Sequence, residues 1–124
     1  KRILVADDDP QTIEIVSSML ETVNADVVSV NTGNDCYRKI DMSPAGSFDV
    51  VLMDVKMPKG DGLETTARIR KMEDRRKSRL PIIALSASAF EEEKQTAFDA
   101  GVNGCVTKPI DFAQLFALIM RLLK

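Results

Sequence analysis

The sequence predicts an α/β fold: a single doubly wound, five-stranded parallel sheet with helices on both faces. Three observations predict it. Five short apolar runs alternate with stretches whose apolar residues recur at helical spacing. Most of those runs are continuously apolar, as strands buried on both faces are. Four of them stop abruptly at polar residues: Asp7 and Asp8 after the first, Asp54 after the third, Ser86 after the fourth and Lys108 after the fifth. Strand exits of an open parallel sheet lie along one edge, and that edge is where such sheets place their chemistry. No linker, repeat or low-complexity stretch interrupts the pattern, so residues 1–124 read as one domain.

Arg2 to Ala6 is a buried-type strand running into Asp7-Asp8-Asp9. Pro10 suits the first position of a helix, with Asp9 as N-cap. That helix extends to about Val23, with Ile13, Val16, Leu20 and Val23 at helical spacing. Ile15 and Met19 widen the stripe to one side, as extra core or as an exposed docking edge. In the second strand, Ala25 to Val30, Asp26 and Ser29 interrupt the apolar residues, which predicts a sheet edge. Asn31 or Thr32 caps a short helix through about Met42, with Cys36, Tyr37 and Ile40 inward. Pro44 to Ser47 is a turn.

Val50 to Met53 is the central strand, and it ends in Asp54. Pro58, Gly60 and Gly62 follow as turn signals. A helix from about Leu63 to Met72 turns Leu63, Ala67, Ile69 and Met72 inward. The charged run Glu73 to Arg79 reads as a helix end or solvated loop. Pro81 to Leu85 is a buried strand ending in Ser86. A helix from Glu91 to Ala100 is stopped by Gly101. The short strand Gly104 to Thr107 leads to Lys108-Pro109. The last helix, Asp111 to Leu123, is broadly apolar through Phe112, Leu115, Phe116, Ile119, Leu122 and Leu123. The expectation is five strands and five helices.

The 124 residues are 44% hydrophobic with a net charge of −2. That balance draws the chain neither to nucleic acid nor to membrane. No apolar run reaches spanning length, and no signal peptide is visible. The chain begins at Lys1, as a segment cut from a longer protein would. Cys36 and Cys105 have no motif spacing, and without histidine a zinc site is excluded in practice. Two free thiols fit a reducing cytosol, so a cytoplasmic location is expected.

Asp7, Asp8 and Asp54 in one pocket repel one another unless a cation is present. Oxygen donors without His or Cys select a hard ion, most plausibly magnesium. A carboxylate can also attack phosphorus and form an aspartyl-phosphate. Lys108 supplies a charge and Ser86 a hydrogen bond for the remaining phosphoryl oxygens. A lone Lys is ordinarily a solvated surface residue and a lone Ser after a strand a helix cap. Five such groups at four strand exits are a phosphoryl-accepting set.

With these residues in order, the chain resembles the receiver domain of two-component response regulators over nearly its whole length. The motifs are Ile3-Leu4-Val5-Ala6-Asp7-Asp8-Asp9, Met53-Asp54-Val55-Lys56-Met57-Pro58 with Asp61-Gly62, Ser86-Ala87, and Lys108-Pro109. The resemblance implies a flavodoxin-like (βα)5 fold with strand order 2-1-3-4-5 and a cis Lys108-Pro109 bond. It implies that Asp54 is the phosphorylated residue. Asp8, Asp54 and the Lys56 backbone carbonyl would bind Mg2+ directly, and Asp7 would act mainly through water. Ser86 and Lys108 would hold the phosphoryl group and couple it to the loops. The implied partner is a histidine kinase or histidine phosphotransfer domain, and the implied role is signalling, not enzymatic turnover. Leu80 to Ala87 and Lys108-Pro109-Ile110 are similar to receivers fused to hybrid histidine kinases. Where receivers often carry a fifth-strand aromatic that swings with the Ser or Thr, this chain has Cys105, which cannot make that rotamer switch.

Other readings fit less well. In an aspartyl-nucleophile phosphatase of the haloacid dehalogenase type, the position of Gln11 holds Thr or Val. A flavodoxin-type flavin binder needs a Ser/Thr/Gly-rich loop after the first strand, and none follows. A degenerate receiver serving only as an interaction module is the structural rival, and the five intact positions argue against it.

Overall fold

Alternating side chains on each strand divide the interior in two, and that division dictates where the helices pack. The computed structural model describes residues 1–57, 61–87 and 90–123. Its strands are β1 (Arg2–Ala6), β2 (Asp26–Val30), β3 (Val50–Asp54), β4 (Ile82–Ser86) and β5 (Gly104–Thr107). All neighbours pair in parallel in the order β2-β1-β3-β4-β5. The expected fold class and strand order are both observed, with the interrupted second strand at an edge.

Successive strand residues point to opposite faces. Ile3, Val5, Val50, Leu52, Ile83 and Leu85 therefore share one core with helix α1 (Pro10–Glu21) and helix α6 (Phe112–Leu122), through Val16, Leu20, Leu115 and Ile119. Leu4, Ala6, Val51, Met53, Ile82 and Ala84 face helices α2 (Gly33–Met42), α3 (Gly62–Arg70) and α5 (Glu91–Ala100), through Cys36, Ile40, Ile69 and Ala97. Every residue of β3 is buried, which is why its run is continuously apolar up to Asp54.

Caps set most helix starts, and those at Asp9 and Thr32 are the ones the sequence indicates. Asp9 accepts from the Gln11 amide, Thr32 from Asp35, Asp61 from Leu63 and Glu64, and Asp111 from Ala113 and Gln114. Gly101 closes α5 in the left-handed conformation at φ 116.

Three expectations need correction, and one open reading is decided. The run 73–79 contains a further helix, α4 (Arg75–Ser78), so the described residues hold six helices rather than five. Its cause is local: the Asp74 carboxylate caps the Arg76 amide. Helix α1 stops at Glu21, short of Val23, as the chain turns through Asn24 at φ 62. Helix α3 ends at Arg70, short of Met72. Ile15 is 51% exposed, so it does not extend the core. Two polar side chains on α3, Thr65 and Thr66, are buried instead; Thr66 donates its hydroxyl to the Gly62 carbonyl at 2.8 Å. The turn signals Pro58 and Gly60 lie outside the described residues.

Candidate functional site

The exits of β1, β3, β4 and β5 meet at one edge of the sheet because parallel pairing aligns them. Asp54 of β3 pairs with Leu85 of β4, and Ser86 with Thr107 of β5. The Lys108 amide continues the ladder by donating to the Ser86 carbonyl at 2.7 Å. Four of the five residues the sequence nominates for side-chain chemistry, Asp7, Asp8, Asp54 and Lys108, gather here. Ser86 lines the same crevice beside Asp54.

Asp7 is fully buried and Asp54 is only 7% exposed, while Asp8 faces solvent. One carboxylate oxygen from each lies within 4.8 Å of the other two. Lys108 Nζ donates to Asp7 Oδ2 at 3.0 Å and stands 3.6 Å from Asp54 Oδ1. The other Asp7 oxygen accepts the Asp9 amide at 2.9 Å, which folds the β1 exit back on itself. Three carboxylates thus cluster together, and the Lys108 ammonium meets two of them. The surplus negative charge, in an all-oxygen cluster, suits a hard divalent cation.

The electrostatics show the same imbalance. Burial pushes the Asp54 carboxyl up to about 6; Asp7 beside it adds to the rise, while Lys108 and a hydrogen bond from the Lys56 backbone oppose it. Burial draws Lys108 down, but its hydrogen bond to Asp7 and the charges of Asp54 and Asp7 outweigh that and leave it raised. The ammonium is therefore retained at neutral pH, whereas Asp54 stays close to its protonation threshold.

A cavity of about 340 Å³ opens from Asp54 and Ser86 toward Ala84, Ala97 and Cys105. Cys105 is half-buried there, and the small side chains at these three positions leave that space. Cys36 is enclosed in the core, where burial pushes its thiol up to about 12.

The protein-family model for the response regulator receiver domain matches residues 3–120. The chain belongs to that family. The sensor protein GacS of Pseudomonas syringae pv. syringae is 39% identical over 97% of this chain. The hybrid signal transduction histidine kinase L of Dictyostelium discoideum is 37% identical over 97% of it. The chain spans 13% and 7% of the lengths of those two relatives. The receiver domain of sensor histidine kinase PA1611 from Pseudomonas aeruginosa PAO1 superposes with a TM-score of 0.88 at 30% identity, covering 99% of this chain and 97% of that one. That crystal structure has a magnesium ion coordinated in its active site cleft.

Within this receiver, Lys108-Pro109 is cis, as the resemblance implies. One residue of the site has a reason that sequence alone did not supply. Gly62 begins α3 directly against the β3 exit, and its amide donates to the Val55 carbonyl at 2.9 Å. A Cβ at Gly62 would stand 2.0 Å from the Asp54 carbonyl oxygen. In the sequence Gly62 stands as a turn signal and in the Asp61-Gly62 motif, neither of which shows its closeness to Asp54.

The raised Asp54 carboxyl makes stability depend on pH. Between the ordinary carboxylate value near 3.8 and about 6, the folded chain holds a proton that the unfolded chain has released. Stability falls as pH rises through that window. Asp54→Asn is therefore expected to stabilise the metal-free receiver at pH 7, by about 1–3 kcal/mol. The gain should shrink toward zero near pH 4. Urea unfolding in chelator at both pH values measures it, and an equal gain at both would contradict this origin.

Proposed function

We propose that this receiver takes a phosphoryl group from a phosphohistidine donor onto Asp54 in a magnesium-dependent reaction. The single observation that carries the reading is the Asp54 carboxylate at the exit of a fully buried strand, facing both Asp7 and the Lys108 ammonium. Asp8, Asp54 and the Lys56 carbonyl would hold the ion directly, with Asp7 acting mainly through water. The magnesium-bearing cleft of the PA1611 receiver supports that assignment. The ion would supply positive charge to the phosphoryl oxygens and to the crowded carboxylates.

An Asp54 carboxylate oxygen attacks phosphorus as the nitrogen–phosphorus bond of the donor breaks. The donor imidazole leaves with that electron pair. Lys108 moves from balancing carboxylates to balancing the transferred group. The Ser86 hydroxyl donates to another phosphoryl oxygen and draws the β4 exit toward it. The new arrangement shifts partner binding by no more than the difference in its affinity for the two states.

The partner is a histidine kinase domain or a histidine phosphotransfer domain, and the parent protein a hybrid histidine kinase acting in the cytoplasm. The names of the two relatives support this context. No helix among the described residues is long and apolar enough to cross a membrane. The outer edge of α1 is the docking surface, because Ile15 is exposed and Met19 only half-buried on it. Changing both to Glu is expected to slow transfer from a phosphohistidine domain by about tenfold or more, roughly 1.4 kcal/mol. Labelling by a small phosphodonor should be unchanged. Equal loss in both assays would remove α1 from the docking surface.

The reading is tested by intact mass after incubation with acetyl phosphate, with magnesium and with chelator. One added phosphoryl group in the presence of metal alone is expected. If neither acetyl phosphate nor a phosphohistidine domain labels the chain, the phosphoacceptor assignment is wrong.

A further inference from the structure

Of the four asparagines in the chain, only Asn103 is followed by glycine. The side-chain carbonyl of an asparagine is open to attack by the main-chain nitrogen of the next residue. A glycine in that place has no Cβ to obstruct the approach. Asn103-Gly104 stands at the entrance to β5, with Gly104 paired opposite Ile83 of β4.

The folded chain holds the two reacting atoms through different elements. Asn103 Oδ1 accepts the Arg70 Nη2 hydrogen at 2.8 Å and the Ile82 amide at 2.9 Å. Both partners can only donate, so the amide oxygen is the atom that faces them. Arg70, from the last turn of α3, is itself fixed. Its Nε donates to the Gly101 carbonyl at 2.9 Å, and its Nη1 to the carbonyls of Ser78 and Leu80 at 2.8 and 2.7 Å. A planar fork can bind four acceptors at once; a lysine cannot. On the main chain, the Asn103 amide donates to the Ile82 carbonyl at 2.7 Å. Gly104 is buried against Leu118 of α6, where a Cβ would come within 2.7 Å of Cδ2. Asn103 as a whole is exposed, so water reaches it.

We propose that Asn103 is a latent deamidation site, kept intact in the folded receiver by Arg70 and Ile82 and converted when the entrances to β4 and β5 open. The Gly104 nitrogen gives up its proton to hydroxide and bonds to Asn103 Cγ. The Cγ–Nδ2 bond breaks, and the nitrogen leaves as ammonia with a proton from water. Water then opens the resulting cyclic imide at one of its two carbonyls. Opening at Cγ gives aspartate, whose carboxylate accepts the same two donors and pairs with Arg70. Opening at the main-chain carbonyl gives an iso-aspartyl link, which lengthens the main chain directly ahead of β5 and breaks its register against β4. Ring closure in the folded state must first take Oδ1 from both donors, one of them charged, and that is the origin of the protection. The site is independent of the phosphoacceptor reading.

Peptide mass spectrometry after incubation in mildly alkaline buffer follows the exchange of the Asn103 amide for a carboxyl. In urea, Asn103 is expected to convert faster than Asn24, Asn31 and Asn34, and Gly104→Ala should slow it. No lead over the other three in urea would show that Asn103 is not a modification site. In the folded wild type, conversion should be slower than in urea by about tenfold or more. Equal rates in the two states overturn the protection.

Arg70→Gln should raise the rate in the folded protein by about tenfold or more. Ile119→Val, which trims the core under α6 away from Asn103, is the control for lost stability. Urea titration of each variant gives its unfolded fraction. A rise in Arg70→Gln no greater than its unfolded fraction accounts for, as in Ile119→Val, removes Arg70 from the protection. If Arg70→Gln does not fold, Arg70→Lys, which keeps the charge but not the fork, is read in the same way.

Discussion

Asp54→Asn is expected to abolish phosphoryl uptake, leaving no adduct by intact mass where the wild type gains one group. The size of the effect follows from chemistry more than from packing. A carboxylate oxygen carries the negative charge that attacks phosphorus; the isosteric amide has no such charge and its carbonyl is a poor nucleophile. The fold should survive, since Asn fills the same space at the end of a strand buried along its whole length. Relieving the repulsion from Asp7 even favours it. Loss of uptake with an undiminished unfolding midpoint would therefore identify a chemical defect. Persistence of a metal-dependent adduct on the variant would place the acceptor elsewhere.

Gly62→Ala is expected to be strongly destabilising, because its new methyl group meets backbone rather than a side chain. The added Cβ would lie 2.0 Å from the Asp54 carbonyl oxygen and 2.9 Å from its carbonyl carbon. Both atoms belong to backbone in the centre of the sheet, so neither can rotate aside. Either α3 retreats, breaking the Gly62 amide bond to Val55, or the β3 exit moves and takes the Asp54 carboxylate with it. The overpacking should cost about 1–3 kcal/mol or more in urea unfolding. Phosphoryl uptake from acetyl phosphate should fall in the fraction that remains folded. Gly104→Ala is the control. Its new Cβ would meet Leu118 Cδ2 at 2.7 Å, but that is the end of a flexible side chain that can turn away. Gly104→Ala should cost clearly less, and equal costs would show that the Asp54 backbone is not the rigid wall.

The pattern of local signals explains which elements were legible before the structure. The continuously apolar runs ending at Asp7, Asp54 and Ser86 announced buried parallel strands, because such runs can be satisfied only with both faces covered. Asp26 and Ser29 announced an edge for the same reason, since only an edge strand tolerates polar residues in its run. Capping residues just ahead of apolar stripes marked the starts of α1 and α2. The short α4 was not legible: its Arg75-Arg76-Lys77-Ser78 has no apolar stripe, and its cap at Asp74 is one acid within a charged run.

By itself, then, the sequence determined the fold class, the strand boundaries to within a residue and the chemical set at the strand exits. These depend on residue type, spacing and local capping, which act over a few positions along the chain. Only the tertiary structure decided that Lys108 reaches Asp7, 101 residues away, that Asp54 sits against Gly62, and that Arg70 holds four separate acceptors. Each depends on how elements distant in sequence approach in space. An arginine at the end of a helix looks the same in sequence whether it meets water or the carbonyls of Gly101, Ser78 and Leu80.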